Sequence, residues 1–345
     1  LWALLAIVVL GLIIHQQLST TTIPLPRTIT IYGFSAMETV MNEAILPAFQ
    51  KHWEESTGQR VEFITTFAGS GAITQEILRK LPVDVAVLST ELDAERLVER
   101  GLLLASSSEP SLHAGVFCRS PMVMLVRHGN PHQVRNFDDL GRDGIQLVLA
   151  DPATSGGAEM ALLSVYAAAY RATADQEFAI RRTVDAWSDA EIVAPSARAA
   201  RRAFRRGTGD VLITYESEAI AASSLDDVTI VYPARTLMTE PVAYKIVKHV
   251  TEEERELVEA LIAFLWSEQA QRSLVQHGFR SVDETRNENE SRFAAEFDFV
   301  SLVDLGGPRM VKQSVVEVLW RERIARGPSP RRAGSPGEQR GADTD

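Results

Sequence analysis

Thr154-Ser155-Gly156-Gly157-Ala158 stands directly before an apolar helical run, Met160 to Ala169. A Ser-Gly-Gly turn that opens a helix leaves backbone N–H groups without acceptors at the positive end of the macrodipole. Glycine lets the backbone come close to whatever sits there. Such a turn suits an anion. The device recurs: Ser70-Gly71 precedes Ala72 to Leu78, and Ser196-Ala197 precedes Arg198 to Gly207. Three small-residue helix starts, far apart in sequence, are expected to converge on one small oxyanion.

Other chemistry in the chain is thinner. The Gly69 to Gly71 turn lacks the lysine of a phosphate-binding loop, so it is not a nucleotide site. No Gly-x-Ser-x-Gly elbow surrounds Ser70 or Ser155. His128 and His132 are separated by Gly129-Asn130-Pro131, which breaks any helix, so they do not form a metal pair. Arg198, Arg201, Arg202 and Arg205 share one helical face and read as a solvated surface. Trp53, Trp187, Trp266 and Trp320 fall in helical patterns and read as packing. A rival reading makes Ser155 or Ser70 the nucleophile of a hydrolase, with backbone N–H groups as the oxyanion hole. That reading needs a positioned base, and no motif links either serine to a histidine.

The chain has 345 residues, a net charge of −11 and an isoelectric point near 5.3. An acidic surface argues against nucleic acid as a partner. It does not argue against a small anion held by local dipoles inside a cleft. A single cysteine, Cys118, excludes an internal disulfide and a cysteine-based zinc site. No cofactor or metal is implied. Leu1 to Ile14 is an unbroken apolar run followed by a Thr- and Pro-rich stretch to residue 27. The run reads as an export signal or membrane anchor, which places the rest of the chain in the periplasm or elsewhere outside the cytoplasm.

The elements needed to position the helix starts follow from periodicity. Thr28 to Tyr32 alternates as a strand does. Met41 to Glu55 is helical, with Pro47 marking a kink or a second helix start, and Val61 to Ile64 and Asp84 to Leu88 are strands. Glu91 to Arg100 is a helix stopped by Gly101. The pattern then repeats with strands at Met122 to Val126, Gln146 to Leu149, Glu191 to Val193, Asp210 to Thr214, Val228 to Val231 and Val242 to Val247. Asp175 to Trp187 and Arg198 to Arg206 are helical, Thr251 to His277 reads as one long amphipathic helix, and Arg309 to Ile324 as another. Strands alternating with helices imply parallel sheets and an α/β fold. Residues 327–345 are rich in Pro, Gly, Arg and Ser and read as a disordered tail.

From about Thr28 to Ile324 the chain resembles the periplasmic sulfate- and thiosulfate-binding proteins of ABC importers. Several separated segments carry the resemblance in order: Ala48 to Trp53 with Thr57-Gly58, Ala68-Gly69-Ser70-Gly71, Leu125 to Pro131, Ser155 to Ala158, Ser196-Ala197-Arg198, Gly209 to Ile213, and Glu240-Pro241. The resemblance implies a two-lobed type II periplasmic-binding-protein fold with a hinge and an interlobe cleft. It implies a first lobe from 28–120 and 241–326, and a second lobe with hinge strands from 121–240. It implies a receptor, not an enzyme, that holds sulfate or a related oxyanion by hydrogen bonds and delivers it, as a monomer, to an ABC permease. The implied donors are Ser70 and Gly71, the Ser155 hydroxyl, the N–H groups of Gly156, Gly157 and Ala197, and one of Gly33, Phe34 or Ser35. Two departures stand out: Tyr32-Gly33-Phe34-Ser35 replaces the family's Asp-Pro turn, and Tyr215 falls where the family has a tryptophan donor. With donors alone in the site, sulfate is expected to exclude phosphate, whose remaining proton needs an acceptor.

Overall fold

The computed structural model of the protein describes residues 26–103, 115–188, 190–223, 227–294 and 298–324. The apolar run at 1–14, the linker to residue 25 and the tail at 327–345 lie outside the described residues. Among the described residues no helix is long and apolar enough to cross a membrane.

The strands form two sheets. In the first, β1 (Arg27–Phe34) lies between β2 (Val61–Ala68) and β3 (Val85–Leu88), parallel to both, and β10 (Val242–Lys245) closes the edge antiparallel to β3. The second is built round the ten-residue β4 (Cys118–Arg127). Its path places β9 (Arg235–Thr239) and β7 (Val211–Tyr215) on either side of β4. Beyond β7 come β5 (Leu147–Ala150) and β6 (Glu191–Ala194), with β5 parallel to both β7 and β6. Parallel pairing sets the carboxyl ends of β5, β6 and β7 at one edge, and those of β1, β2 and β3 at one edge of the other sheet. The helix starts after those strands therefore gather at the sheet edges, as open α/β sheets require of a ligand site.

The alternating pleat explains the core. Ala86 and Leu88 of β3 enter one apolar cluster with Ile73, Ile77 and Leu97, while Val85 and Val87 enter the opposite one. Val123 and Leu125 of β4 pack with Val148, Phe204 and Leu212, and Met122, Met124 and Val126 face the other way. Two chain passages lie side by side between the sheets. Val116 bridges Val242 of the first sheet just before β4 begins, and Thr239 pairs Ser120 just before β10 begins. Short passages of this kind permit hinge closure of one lobe on the other.

Of the two alternatives at Pro47 the structure has the second helix start: a π turn, Met41–Ile45, leads into α1 (Leu46–Thr57) with the proline in its first turn. Two other expectations are modified. The long helix from Thr251 is two: α8 (Glu252–Phe264) and α9 (Glu268–Gln276). Ser267 interrupts them, its hydroxyl accepting from Ala270 N–H at 3.2 Å. A local side-chain cap outcompetes continuation of the ladder. Residues 241–326, assigned whole to the first lobe by the resemblance, divide. β12 (Asp298–Val300) pairs β9, and the helix Pro308–Val311 continues as the π-helical Lys312–Ile324 over α4 (Gly156–Thr173) and α5 (Gln176–Ser188) of the second lobe. Buried Val315, Val316 and Leu319 explain why it docks there.

Candidate anion site

Each small-residue helix start is an N-terminus as expected. Gly69 precedes α2 (Ser70–Leu78) in extended backbone, which turns the chain from β2 into the helix. Ser155 caps α4, its hydroxyl accepting from Ala158 N–H at 3.3 Å. Ser196 caps α6 (Ala197–Arg205), accepting from Ala199 N–H at 3.3 Å. The three are brought together. Ala72 N–H donates to the Thr154 carbonyl at 3.0 Å across the two lobes, and the Thr154 hydroxyl donates to the Pro195 carbonyl at 3.0 Å. A methyl group on Gly69 would collide with both the Thr154 and the Pro195 carbonyl oxygens. Gly69 is therefore the point where the backbones of three helix starts meet, and only glycine fits there.

Among the described residues no protein group accepts from the N–H groups of Ser70, Gly71, Gly156, Gly157 or Ala197. The helices leave these donors unused by construction. Ser70 is buried, and its oxygen accepts from Ser89 N–H at 3.1 Å, which fixes the hydroxyl and leaves its hydrogen to give. Gly71 lies against the Ala153-Thr154 backbone, 3.2 Å from where its Cβ would stand.

Tyr215, at the carboxyl end of β7, is 2 % exposed. Its hydroxyl lies 2.8 Å from the position a Cβ on Gly157 would take. The Phe34 ring meets it edge-on with centroids 5.9 Å apart, so Phe34 contributes packing as well as the turn that Ser35 begins. Burial pushes the Tyr215 phenol well above its usual range. The Ser89 hydroxyl beside it opposes that shift and nearby carboxylates add to it, so the group stays protonated and able to donate. Gly33 does not join the others. It is an inner residue of β1, paired with Phe67 on one side and Val87 on the other, and the sheet ladder uses its backbone. Its missing Cβ makes room for the Phe67 ring.

Sequence reasoning missed the acids. Asp93, in the first turn of α3 (Glu91–Glu99), is 1 % exposed, and its Oδ2 lies 2.8 Å from the Cβ position of Gly156. Glu159, one turn into α4, is buried and paired with Lys312 from the C-terminal helix. Burial, aided by Asp93, raises its carboxyl to about 7 against the opposing pull of Lys312. No local pattern betrays either group, because each looks like the ordinary acid of a helix first turn.

The arginine face is not simply solvated. Arg198 reaches across to Glu38 and Thr39 of the first lobe, and half-buried Arg201 pairs with buried Glu218 at 2.7 Å, while Arg202 is exposed. The histidines sit elsewhere. His132 lies 3.5 Å from Asp210, at the amino end of β7. Tyr215 is five residues further along the chain, about 17 Å away by strand rise. Ser155 is committed to its helix cap and Ser70 to Ser89.

Over residues 29–280 the chain matches the family described as bacterial extracellular solute-binding protein. It belongs to that family. Among curated relatives, the sulfate-binding protein of Synechococcus elongatus is 29% identical over 259 residues, 74% of this chain and 73% of that one. The thiosulfate-binding protein of Pseudomonas aeruginosa is 30% identical over 239 residues, 65% of this chain and 70% of that one. Among solved structures, the sulfate-binding protein SubI from Mycobacterium tuberculosis H37Rv superposes with a TM-score of 0.74 at 29% identity, covering 83% of this chain and 98% of that one. The two-lobed fold is shared with more distant periplasmic binding proteins, such as AfuA from Actinobacillus pleuropneumoniae, TM-score 0.63 at 16% identity. The family is one of solute receptors, and the hydrolase reading finds no support in it.

Proposed function

We propose that this solute-binding protein is the extracytoplasmic receptor of an ABC importer and captures a tetrahedral oxyanion, sulfate or thiosulfate first. One observation carries the reading: helix starts of α2 from one lobe and of α4 and α6 from the other meet at Gly69, and the N–H groups of Ser70, Gly71, Gly156, Gly157 and Ala197 have no acceptor among the described residues. Oriented N–H dipoles from two lobes hold a dianion without a counter-charge and close the cleft as they do so. The Ser155 and Tyr215 hydroxyls supply further donors, and the Ser35 turn closes the ring. The names of the sulfate- and thiosulfate-binding relatives point to the same ligand class. The chain works as a monomer, presents the loaded cleft to a membrane permease and has no use for nucleic acid. Its N-terminal apolar run directs or tethers it there.

Calorimetric titration of residues 26–324 against sulfate, thiosulfate, molybdate and tungstate tests the reading. Saturable 1:1 binding of sulfate or thiosulfate, weakened roughly tenfold or more in Ser155→Ala, is the expected result. Absence of binding to all four anions by the folded protein refutes it.

A further inference from the structure

The first turn of α4 carries a charge that a bound dianion would oppose. Glu159 is the fourth residue of α4, about 4.5 Å along the axis from Gly156 by helix rise. An acid there competes with a bound anion for the same helix dipole. Asp93 adds a second acid from the first lobe, its Oδ2 standing 2.8 Å from the Cβ position of Gly156. Both residues are buried, and Asp93 Oδ2 and Glu159 Oε2 accept no hydrogen bond among the described residues. Closing a dianion into this corner is costly unless a cation stands beside it.

Lys312 of the C-terminal helix supplies that cation, its Nζ donating to Glu159 Oε1. Val311, Val315, Val316 and Leu319 are buried and seat the helix, and this sets Lys312 over the acid with only 17% of its side chain exposed. Arg309, one turn earlier, pairs with Glu95 of α3 at 3.2 Å, so the same helix also touches the first lobe. A cavity of about 450 Å³ lies where the three parts meet, lined by Gln75 and Arg96 of the first lobe, Glu159 of the second, and Lys312 and Trp320 of the C-terminal helix. Glu95, Glu99, Arg309 and Glu317 stand along the same wall. Asp93 and Lys312 act most strongly on the Glu159 carboxyl, Arg96 more weakly, and the Tyr215 phenol of β7 feels its charge in turn.

We infer that Lys312 is a positioning residue of the anion site, which neutralises Glu159 and so keeps the start of α4 receptive to a dianion, acting through that carboxylate rather than on the ligand. The inference rests on the oxyanion reading above and adds the C-terminal helix to the machinery of that site. Without the lysine, Glu159 has two states. Protonated, it is neutral and leaves the helix start usable. Ionised, it opposes the ligand. Lys312 pulls the carboxyl down, so its removal sends the group further above its ordinary range, and affinity then falls as pH rises through the new value.

Sulfate stays a dianion from about pH 6 to about pH 9, so a change of affinity in that range reports the protein. Calorimetry with sulfate compares the full chain, Lys312→Arg, Lys312→Met and the double variant Lys312→Met/Glu159→Gln, with ligand-free thermal unfolding as the folding control. Lys312→Met and the double variant are expected to bind alike near pH 6. By about pH 9 Lys312→Met should be about tenfold weaker than the double variant, while Lys312→Arg stays within about threefold of the unsubstituted chain. A Lys312→Met protein that tracks the double variant at every pH overturns the inference and leaves the receptor reading standing. So does one that matches the unsubstituted chain at about pH 9. Absence of both sulfate and thiosulfate binding by the folded, unsubstituted chain removes both readings. If Lys312→Met does not fold, Lys312→Gln, alone and with Glu159→Gln, carries the same comparison.

Discussion

Gly156→Ala separates what a helix wants from what the cleft wants. At the first position of α4 alanine is ordinarily the better helix residue, by up to about 1 kcal/mol. Here the new methyl would collide with Ser89 Oγ and stand 2.8 Å from Asp93 Oδ2 and 3.2 Å from Ser70 Cβ. All three obstacles are buried, Ser89 at 0 % and Asp93 at 1 % exposure; Ser89 and Ser70 follow the ends of β3 and β2, and Asp93 sits in the first turn of α3, with little room to withdraw. Overpacking of this kind costs about 1–3 kcal/mol. The obstacles belong to the first lobe and Gly156 to the second, so the strain vanishes when the lobes part. The open protein keeps its stability or gains slightly. The closed, loaded state bears the whole cost, which raises Kd about 5- to 150-fold. Sulfate titration with ligand-free thermal unfolding is the assay, and Ser89→Ala in the same chain should return part of the affinity. An affinity within twofold of the parent would refute the closed-cleft geometry. So would a loss of affinity matched by an equal fall in ligand-free Tm, because the methyl would then be damaging the fold rather than the closure.

Tyr215→Phe keeps the ring against Phe34 and removes only the hydroxyl, so oxyanion affinity should fall by the worth of one hydrogen bond to a charge, about 1.5–3 kcal/mol, with unchanged ligand-free Tm. Unchanged affinity would assign the residue to packing alone. Arg280→Ala should destabilise by about 3–5 kcal/mol in denaturant titration, because Glu216, its side chain fully buried, holds Arg280 through two bonds of 2.7 Å and would be left without its cation. A change under 1 kcal/mol would contradict the pairing. Glu159 titrates near 7 when folded against an ordinary 4.5, so between those values the folded state keeps a proton that the unfolded chain has lost. Its contribution to stability therefore falls as pH rises through that window, and Glu159→Gln should flatten the decline in a pH series of unfolding midpoints. An unaltered slope would show that another group sets it.

Local rules were enough for the parts of this protein that local chemistry decides. Glycine and serine at strand-to-helix junctions marked the starts of α2, α4 and α6, since backbone freedom and side-chain caps act within a few residues. Period-two alternation marked β1 and short continuous apolar runs marked β3 and β7, and the alternation of strands with helices fixed the α/β class. The ordered segments around Ser70, Ser155 and Ala197 were sufficient to suggest the family. Local periodicity could not tell where the chain stops obeying it. The serine at 267 splits a pattern that looks continuous, and the last helix turns to the second lobe because buried Val315, Val316 and Leu319 find their cover there. Gly33 looked like a donor by position, but it lies within β1, in register with Phe67 on one flanking strand and Val87 on the other. Asp93 and Glu159 are ordinary in sequence and unusual only in place. Burial, an unpaired oxygen and nearness to Gly156 arise between segments more than sixty residues apart, so the helix starts were readable from the chain while the acids beside them belong to the tertiary structure alone.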